Sequence, residues 1–330
     1  MKFASFVVTF NRPLVLKQTI EILLKQTRPP DALLIVDNGN SPDTEALVRS
    51  YGDERLQYSA PGSNLGSAGG CAYGLEWFYE RGFDWIHCGD DDDPPKTADT
   101  LERLLAIIEH ENDDKLGCVA AFGNLWDWRT GQFKRIEDDR LTGLIDVDAV
   151  GGNSQLIVSR DVIRSVGVPE KQFFFGFYDP LYCLKLKRAG YRIMIDGRLT
   201  QEYRVKSGRL NFKLRSALLP RDSANSMWRR FYVTRNYIFS MTRTFGRPDL
   251  ARREAFRAMG RALASWGHGP AYGLAFTKLQ LRGVWDGYRG RLGRTIEPNP
   301  KTAQELKRVA APFCPPPLLA GPHTSQGQPK

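Results

Sequence analysis

An apolar run, Phe3-Ala4-Ser5-Phe6-Val7-Val8, opens the chain and predicts a buried first strand. Residues 13–26 then space Leu14, Leu16, Ile20, Leu23 and Leu24 as a helix would. The alternation continues. Strands are expected over 32–36, 56–59, 83–88 and 116–122, and helices over 44–51, 66–81 and 97–111. Strands alternating with helices predict an α/β fold with a mostly parallel sheet covered on both faces. Such sheets bind ligands beyond the carboxyl ends of their strands. Asp37, Asn64 and Asp90–Asp92 all fall at or just after an expected strand end. Sequence order thus gathers three polar clusters along one edge of one sheet.

The pattern weakens over 125–144, where Trp126, Trp128 and Phe133 alternate with polar residues as in a hairpin or an irregular insertion. Strands are expected again over 145–150, 155–158 and 191–195, with a short helix over 160–166. Gly151-Gly152-Asn153 lies between the first two strands. Phe173-Phe174-Phe175-Gly176-Phe177-Tyr178-Asp179-Pro180 leads into a helix closed by Gly190. After about residue 205 the alternation ends. Helices are expected over 225–243, 249–265 and 271–281, and Arg253, Arg257 and Arg261 form one basic stripe with Phe256, Met259, Leu263 and Trp266 elsewhere on that helix. Three units follow: an α/β unit over 1–205, a basic helical region over 206–311, and a Pro-rich tail over 312–330 of disordered composition.

Charge changes this picture more than composition does. Hydrophobic residues at 42% and charged residues at 25% are ordinary for a globular protein. The net charge of +10 is unevenly placed: residues 201–330 hold 24 basic against seven acidic side chains, so residues 1–200 are net acidic. A basic back fits an anionic membrane surface, an anionic glycan or nucleic acid, or simply a solvated helical face. No recognised nucleic-acid motif accompanies it. Five cysteines form no CxxC pair, which argues against a disulfide framework or a zinc site and suits a reducing, cytoplasmic compartment. No leader is read before the first strand. No apolar run approaches the roughly 20 residues that span a bilayer, so membrane contact would be peripheral, at the inner face of the cell membrane.

Chemistry concentrates at Asp90-Asp91-Asp92-Asp93, which ends an apolar segment and runs into Pro94-Pro95. Neighbouring carboxylates repel unless solvent or a hard cation sits among them. Mg²⁺ or Mn²⁺ would accept their oxygens and keep positions for phosphate. A solvated acidic turn is the plainer reading. Likewise Asp179-Pro180 alone reads as a helix N-terminus, where Asp caps well and Pro follows.

In order along the chain stand Thr9-Phe10-Asn11-Arg12, Ile35-Val36-Asp37-Asn38-Gly39, Asn64-Leu65-Gly66-Ser67-Ala68-Gly69-Gly70, the acidic run, and residues 175–190. Over about residues 1–200 this set resembles glycosyltransferase family 2, of the GT-A fold, and within it the branch of rhamnosyl- and galactofuranosyltransferases. A weaker echo, Trp228-Arg229-Arg230-Phe231-Tyr232-Val233-Thr234-Arg235-Asn236-Tyr237, extends it. The resemblance implies an inverting transfer of a sugar from a UDP- or dTDP-linked donor to a glycan or lipid-linked acceptor, in bacterial surface polysaccharide synthesis. It implies that Thr9, Asn11, Arg12 and Asp37 line the nucleotide site, with Asp37 accepting from the pyrimidine N–H. Asn64 and Gly69 would admit the diphosphate, with Asp90 and Asp91 beside it. Asp90 and Asp92 would hold Mn²⁺ or Mg²⁺, and Asp179 would be the catalytic base. Two departures stand out. Tyr178 replaces an acidic residue common before the base. The histidine that completes the metal shell in many relatives is missing from Leu199-Thr200-Gln201-Glu202-Tyr203, which leaves Gln201 or Glu202 to substitute. These departures keep open a non-catalytic nucleotide- or glycan-binding protein on the same scaffold. The helical back would pack on the α/β unit, on a membrane or on another subunit of a homo-oligomer.

Overall fold

The computed structural model describes residues 1–111, 113–151, 154–210, 222–223 and 226–297. Strands β1 (Phe3–Thr9), β2 (Ala32–Asp37), β3 (Leu56–Ser59) and β4 (Trp85–Asp90) alternate with helices α1 (Pro13–Leu24), α2 (Pro42–Arg49) and α3 (Gly66–Glu80). Helix α4 (Thr100–Glu111) leads to β5 (Leu116–Ala120), and a small hairpin of β6 (Leu125–Asp127) and β7 (Gln132–Lys134) follows. Next come β8 (Leu144–Asp146), β9 (Leu156–Ser159), α5 (Arg160–Val166), α6 (Tyr178–Arg188), β10 (Arg192–Asp196) and α7 (Gly197–Lys206). Helices α8 (Trp228–Phe239), α9 (Pro248–Ser265) and α10 (Pro270–Arg289) complete the described chain.

The main sheet has eight strands in the order β3-β2-β1-β4-β9-β5-β10-β8. Strands β1 to β4 pair in parallel, as expected. Strand β9 enters antiparallel between β4 and β5, and β8 caps the far edge antiparallel to β10. Apolar clusters fill both faces. One packs Phe6, Leu34, Leu75 and Phe78 under α3, and the other packs Phe3, Leu16, Leu33 and Leu104 under α1 and α4. The glycines of α3 serve this packing. A Cβ on Gly70 would stand 2.7 Å from Val8, and one on Gly74 would stand 2.4 Å from the Phe6 ring. The helix lies against β1 because it has no side chains at those turns.

The helical back is longer and less independent than its sequence suggests. Helix α10 runs two turns beyond the expected end, and α8 stops at Phe239 in a π-helical turn over Ser240–Thr244. Tyr237, Ile238, Met241 and Leu250 share one apolar cluster with Phe173, Phe177 and Leu181 of the α/β unit. The Arg stripe of α9 is corrected at two of its three positions, while Arg253 stays exposed. Arg257 donates inward to the Thr130 carbonyl (2.9 Å), and Arg261 donates to Glu254 and to Gln280 (2.6 and 3.2 Å). Phe256, Met259, Leu263 and Trp266 face outward. The Pro-rich tail, Cys314 and Gly152-Asn153 lie outside the described residues.

Candidate active site

Parallel register sets the site. Across β1 and β2, Thr9 stands opposite Asp37, and across β1 and β4, Val8 stands opposite Asp90. The loops leaving the three strands therefore emerge side by side, and polar contacts tie them together. A Cβ on Gly39 would meet the Asn11 side chain at 2.2 Å, so Gly39 is what lets these two loops touch. Asn38 donates to the Gly66 carbonyl at 3.0 Å, joining β2 to the start of α3.

Within the acidic run the four carboxylates have different tasks. Asp91 is wholly buried; Thr9 Oγ1 donates to its Oδ2 at 2.7 Å and Arg12 Nε at 3.0 Å, while the other Arg12 nitrogens reach Asp91 Oδ1 and Asp92 Oδ2. Thr19 fixes the Asp91 carbonyl. Asp91 is thus an internal anchor that turns Arg12 toward the strand ends, rather than a group open to a ligand. Asp93 pairs with Lys96. Asp92 is half-exposed with one oxygen on Arg12. Asp90 carries the strongest strain. Burial first, then Asp92, Asp91 and Asp179, push its carboxyl up to about 7. Burial also raises Asp91, to about 6, against the opposing pull of Arg12.

Asp179 reaches this cluster from 89 positions away. It lies in the first turn of α6, but Phe177 occupies the cap position and no side chain caps the helix. The capping explanation for Asp179 therefore does not apply. Its charge is felt by Asp90, by Cys71 and by Tyr178, whose hydroxyl is raised by burial and then by the two carboxylates. Tyr178 thus contributes a neutral phenol beside the carboxylates. Gly151 borders the same space; a Cβ there would stand 3.9 Å from Asp179 Oδ2.

The segment before Asp179 is held in an unusual shape. Phe174 and Phe177 have φ of 63° and 60°, a region that bulky side chains rarely enter. Such conformations persist when surroundings over-determine them. Here Asn236 of α8 donates to the carbonyls of Phe175 and Gly176, both at 2.8 Å, and of Phe173 at 3.2 Å. The buried Arg235 also donates to Phe173 (2.8 Å) and to Gly293 (2.7 Å). Gln155, itself at φ 52°, joins His87 (3.0 Å) to the Asp93 carbonyl (2.7 Å) from below. These clamps went unassigned in the sequence, although Arg235 and Asn236 sit inside its weaker echo and so carried a signal. Gln155 carried none.

Other expected site residues take structural positions. Both Asp37 oxygens accept bonds within the protein: from Gly39 N, from Ser41 N, and from the Tyr58 hydroxyl (2.8, 2.8 and 3.0 Å). Asn64 accepts from Gly66 N in a tight turn, and a Cβ on Gly69 would strike Leu65 at 2.6 Å. Glu202 pairs with Arg103, which also holds Asp196. Gln201 is exposed on α7. Among the described residues no three His, Cys, Asp or Glu side chains form a ready metal cage. Asp90 lies in the field of Asp92, and Mg²⁺-like ions are commonly held by one or two carboxylates plus substrate phosphates. A shallow depression of about 310 Å³ between α2 and β3, lined by Glu45, Arg49, Asp53 and Tyr58 among others, lies away from this cluster.

Residues 5–163 match the model of Glycosyl transferase family 2. The galactofuranosyltransferase GlfT1 of Mycolicibacterium smegmatis is 26% identical over 246 residues, covering 70% of this chain and 80% of that protein. GlfT1 of Mycobacterium tuberculosis H37Rv is 39% identical over 108 residues, 32% of this chain and 35% of that one. In three dimensions, a mannosyltransferase from Pyrobaculum calidifontis, solved with GDP-Man and Mn²⁺, aligns over 88% of both chains at 12% identity with a TM-score of 0.50. That likeness concerns the fold. Residues 5–163 thus form a glycosyl transferase family 2 domain, the fold is GT-A, and the chain is a glycosyltransferase.

Proposed function

We propose that the protein is an inverting transferase that moves galactofuranose from a uridine diphosphate donor to a glycan or lipid-linked acceptor of a bacterial cell envelope. The sugar is inferred from the two GlfT1 relatives, which are named galactofuranosyltransferases. The observation that carries the mechanism is that Asp179 and Asp90, remote in sequence, share one electrostatic environment at the strand ends. One carboxylate faces the departing diphosphate and the other faces the acceptor.

Asp179 takes the proton of the acceptor hydroxyl as that oxygen bonds to the anomeric carbon. The bond from that carbon to the diphosphate breaks on the opposite face, its electron pair leaving with the phosphate oxygen, so configuration inverts. Asp90 and Asp92 would hold a divalent cation, Mn²⁺ or Mg²⁺. When bound, that ion neutralises charge gathering on the leaving group. Arg12, fixed by Asp91, adds a permanent positive charge at the same edge. Thr9, Asn11, Asp37, Asn64 and Gly69 shape the donor side. Asp37, wholly buried, does so by holding the turn at Gly39–Ser41 beneath the pyrimidine side of the site. The α/β unit ends at about residue 205, and the helical back acts as the clamp on the Asp179 loop.

The test is turnover of UDP-galactofuranose with Mn²⁺ by wild type and by Asp179→Asn. The variant is expected to lose roughly 10²–10⁴-fold in kcat, with donor affinity by calorimetry kept. Full activity in the variant would refute the base. Donor binding without turnover in wild type would instead favour a binding protein on this scaffold.

A further inference from the structure

Helices α9 and α10 form an antiparallel pair whose outward face is apolar. On α9, Phe256, Met259, Leu263 and Trp266 recur at intervals of three and four, so they line one stripe. Phe256 is 71% and Leu263 is 74% exposed. On α10, Leu274, Leu281, Trp285 and Tyr288 line a second stripe, and Trp285 is 55% exposed. The stripes adjoin. At one end Trp266 donates to Thr277 at 3.2 Å and packs over Gly273; at the other Arg252 lies in the field of Tyr288. Eight large apolar side chains on one face far exceed the scattered exposure normal for a soluble surface.

Charge decides what covers this face. Arg252, Arg253, Lys278, Arg282 and Arg289 fringe it and are exposed. The three acidic residues of the two helices are all engaged with arginines. Glu254 and Asp286 are buried against Arg261 and Arg282, and Asp249 pairs with Arg247. A second copy of the chain would set this cationic rim against itself. The chain's own residues 298–330, with four basic and one acidic side chain, offer no better complement. No described helix is long and apolar enough to cross a bilayer. A face with Trp and Tyr among its apolar residues and Arg and Lys around it matches the interface of an anionic bilayer.

We infer that the α9–α10 face docks this glycosyltransferase peripherally onto a membrane rich in anionic phospholipid. Phe256, Leu263 and Trp285 enter the headgroup–acyl boundary while the arginines meet lipid phosphates. This inference goes beyond the transfer reaction and stands whether or not the acceptor carries a lipid.

The experiment is vesicle flotation of the full chain with phosphatidylglycerol–phosphatidylcholine vesicles and with pure phosphatidylcholine vesicles. Wild type and Phe256→Ser/Leu263→Ser are compared, with thermal unfolding and turnover on a soluble acceptor as controls. Wild type should float with the anionic vesicles, less so in high salt, and poorly with phosphatidylcholine. The double variant should lose roughly tenfold or more in partitioning, because each exposed Leu or Phe loses its apolar burial; its melting temperature and soluble turnover should not change. Wild type that stays unbound, that binds both vesicle types equally, or whose variant floats as well would overturn the inference. So would wild-type self-association in vesicle-free solution that the double variant abolishes, since a second copy would then be the occupant. Loss of turnover with flotation intact would tell against the proposed reaction and leave this surface standing.

Discussion

Asp90 shows how one residue can be unfavourable for the fold and useful to the reaction. Its carboxyl is raised from the ordinary range to about 7, so the ionised form is disfavoured in the folded chain. The unfolded chain binds the proton less tightly. The folding penalty is therefore absent below about pH 4 and grows as pH rises toward and through 7. Asp90→Asn should then stabilise the cation-free protein at pH 8, by on the order of 2 kcal/mol after allowing for partial solvent access. The same variant should fail to turn over donor. Urea unfolding at pH 5 and pH 8 checks the first claim, and no difference between wild type and variant at pH 8 would refute it. Asp91, one position on, is raised in the same direction, to about 6, but removing it carries a separate cost. Its partners Thr9 and Arg12 satisfy it, so its loss strands a half-buried guanidinium.

At the scale of elements, α8 and α3 both make close internal contacts that shape the strand-end region. The Asn236 amide donates to three carbonyls in the loop that precedes Asp179. Asn236→Ala should destabilise by about 2–3 kcal/mol, because buried carbonyls lose their donors. It should lower kcat more than it raises the donor KM, since Asn236 positions the base through its loop. Equal loss in both would mark a structural role only. In α3, Gly74→Ala should cost about 1–3 kcal/mol by overpacking against Phe6, with donor affinity unchanged in the protein that remains folded. Weakened donor binding at full stability would mean that the glycine face serves a ligand after all. The sequence showed the glycines but not their partners. A loop that admits phosphate and a helix that lies close to a strand both need residues without side chains.

For the whole molecule, ligand binding to the native state alone raises apparent stability by mass action. UDP-galactofuranose with Mn²⁺ at about a hundred times its Kd should add about 2.7 kcal/mol, an upward shift on the order of 5 °C in melting temperature. GDP-mannose should shift it little. An equal shift with both donors would set aside the pyrimidine preference. The alternation of strands and helices over residues 1–122 was legible because each element has its own hydrophobic period, and the parallel β1–β4 sheet follows from it. The antiparallel entry of β9 between β4 and β5 was not legible, since periodicity reports which face is buried and says nothing of strand direction.

The sequence by itself determined the α/β class, the order of the polar strand ends and the acidic run, because hydrophobic spacing and local chain chemistry are properties of neighbouring residues. Tertiary structure alone decided which carboxylates stay open. It buried Asp91 on Arg12, paired Glu202 with Arg103 and brought Asp179 into the field of Asp90. It also turned Arg257 and Arg261 of α9 inward and left the apolar stripe outside. The physical reason is that a side chain's charge state and exposure depend on what surrounds it, and those surroundings come from segments distant along the chain.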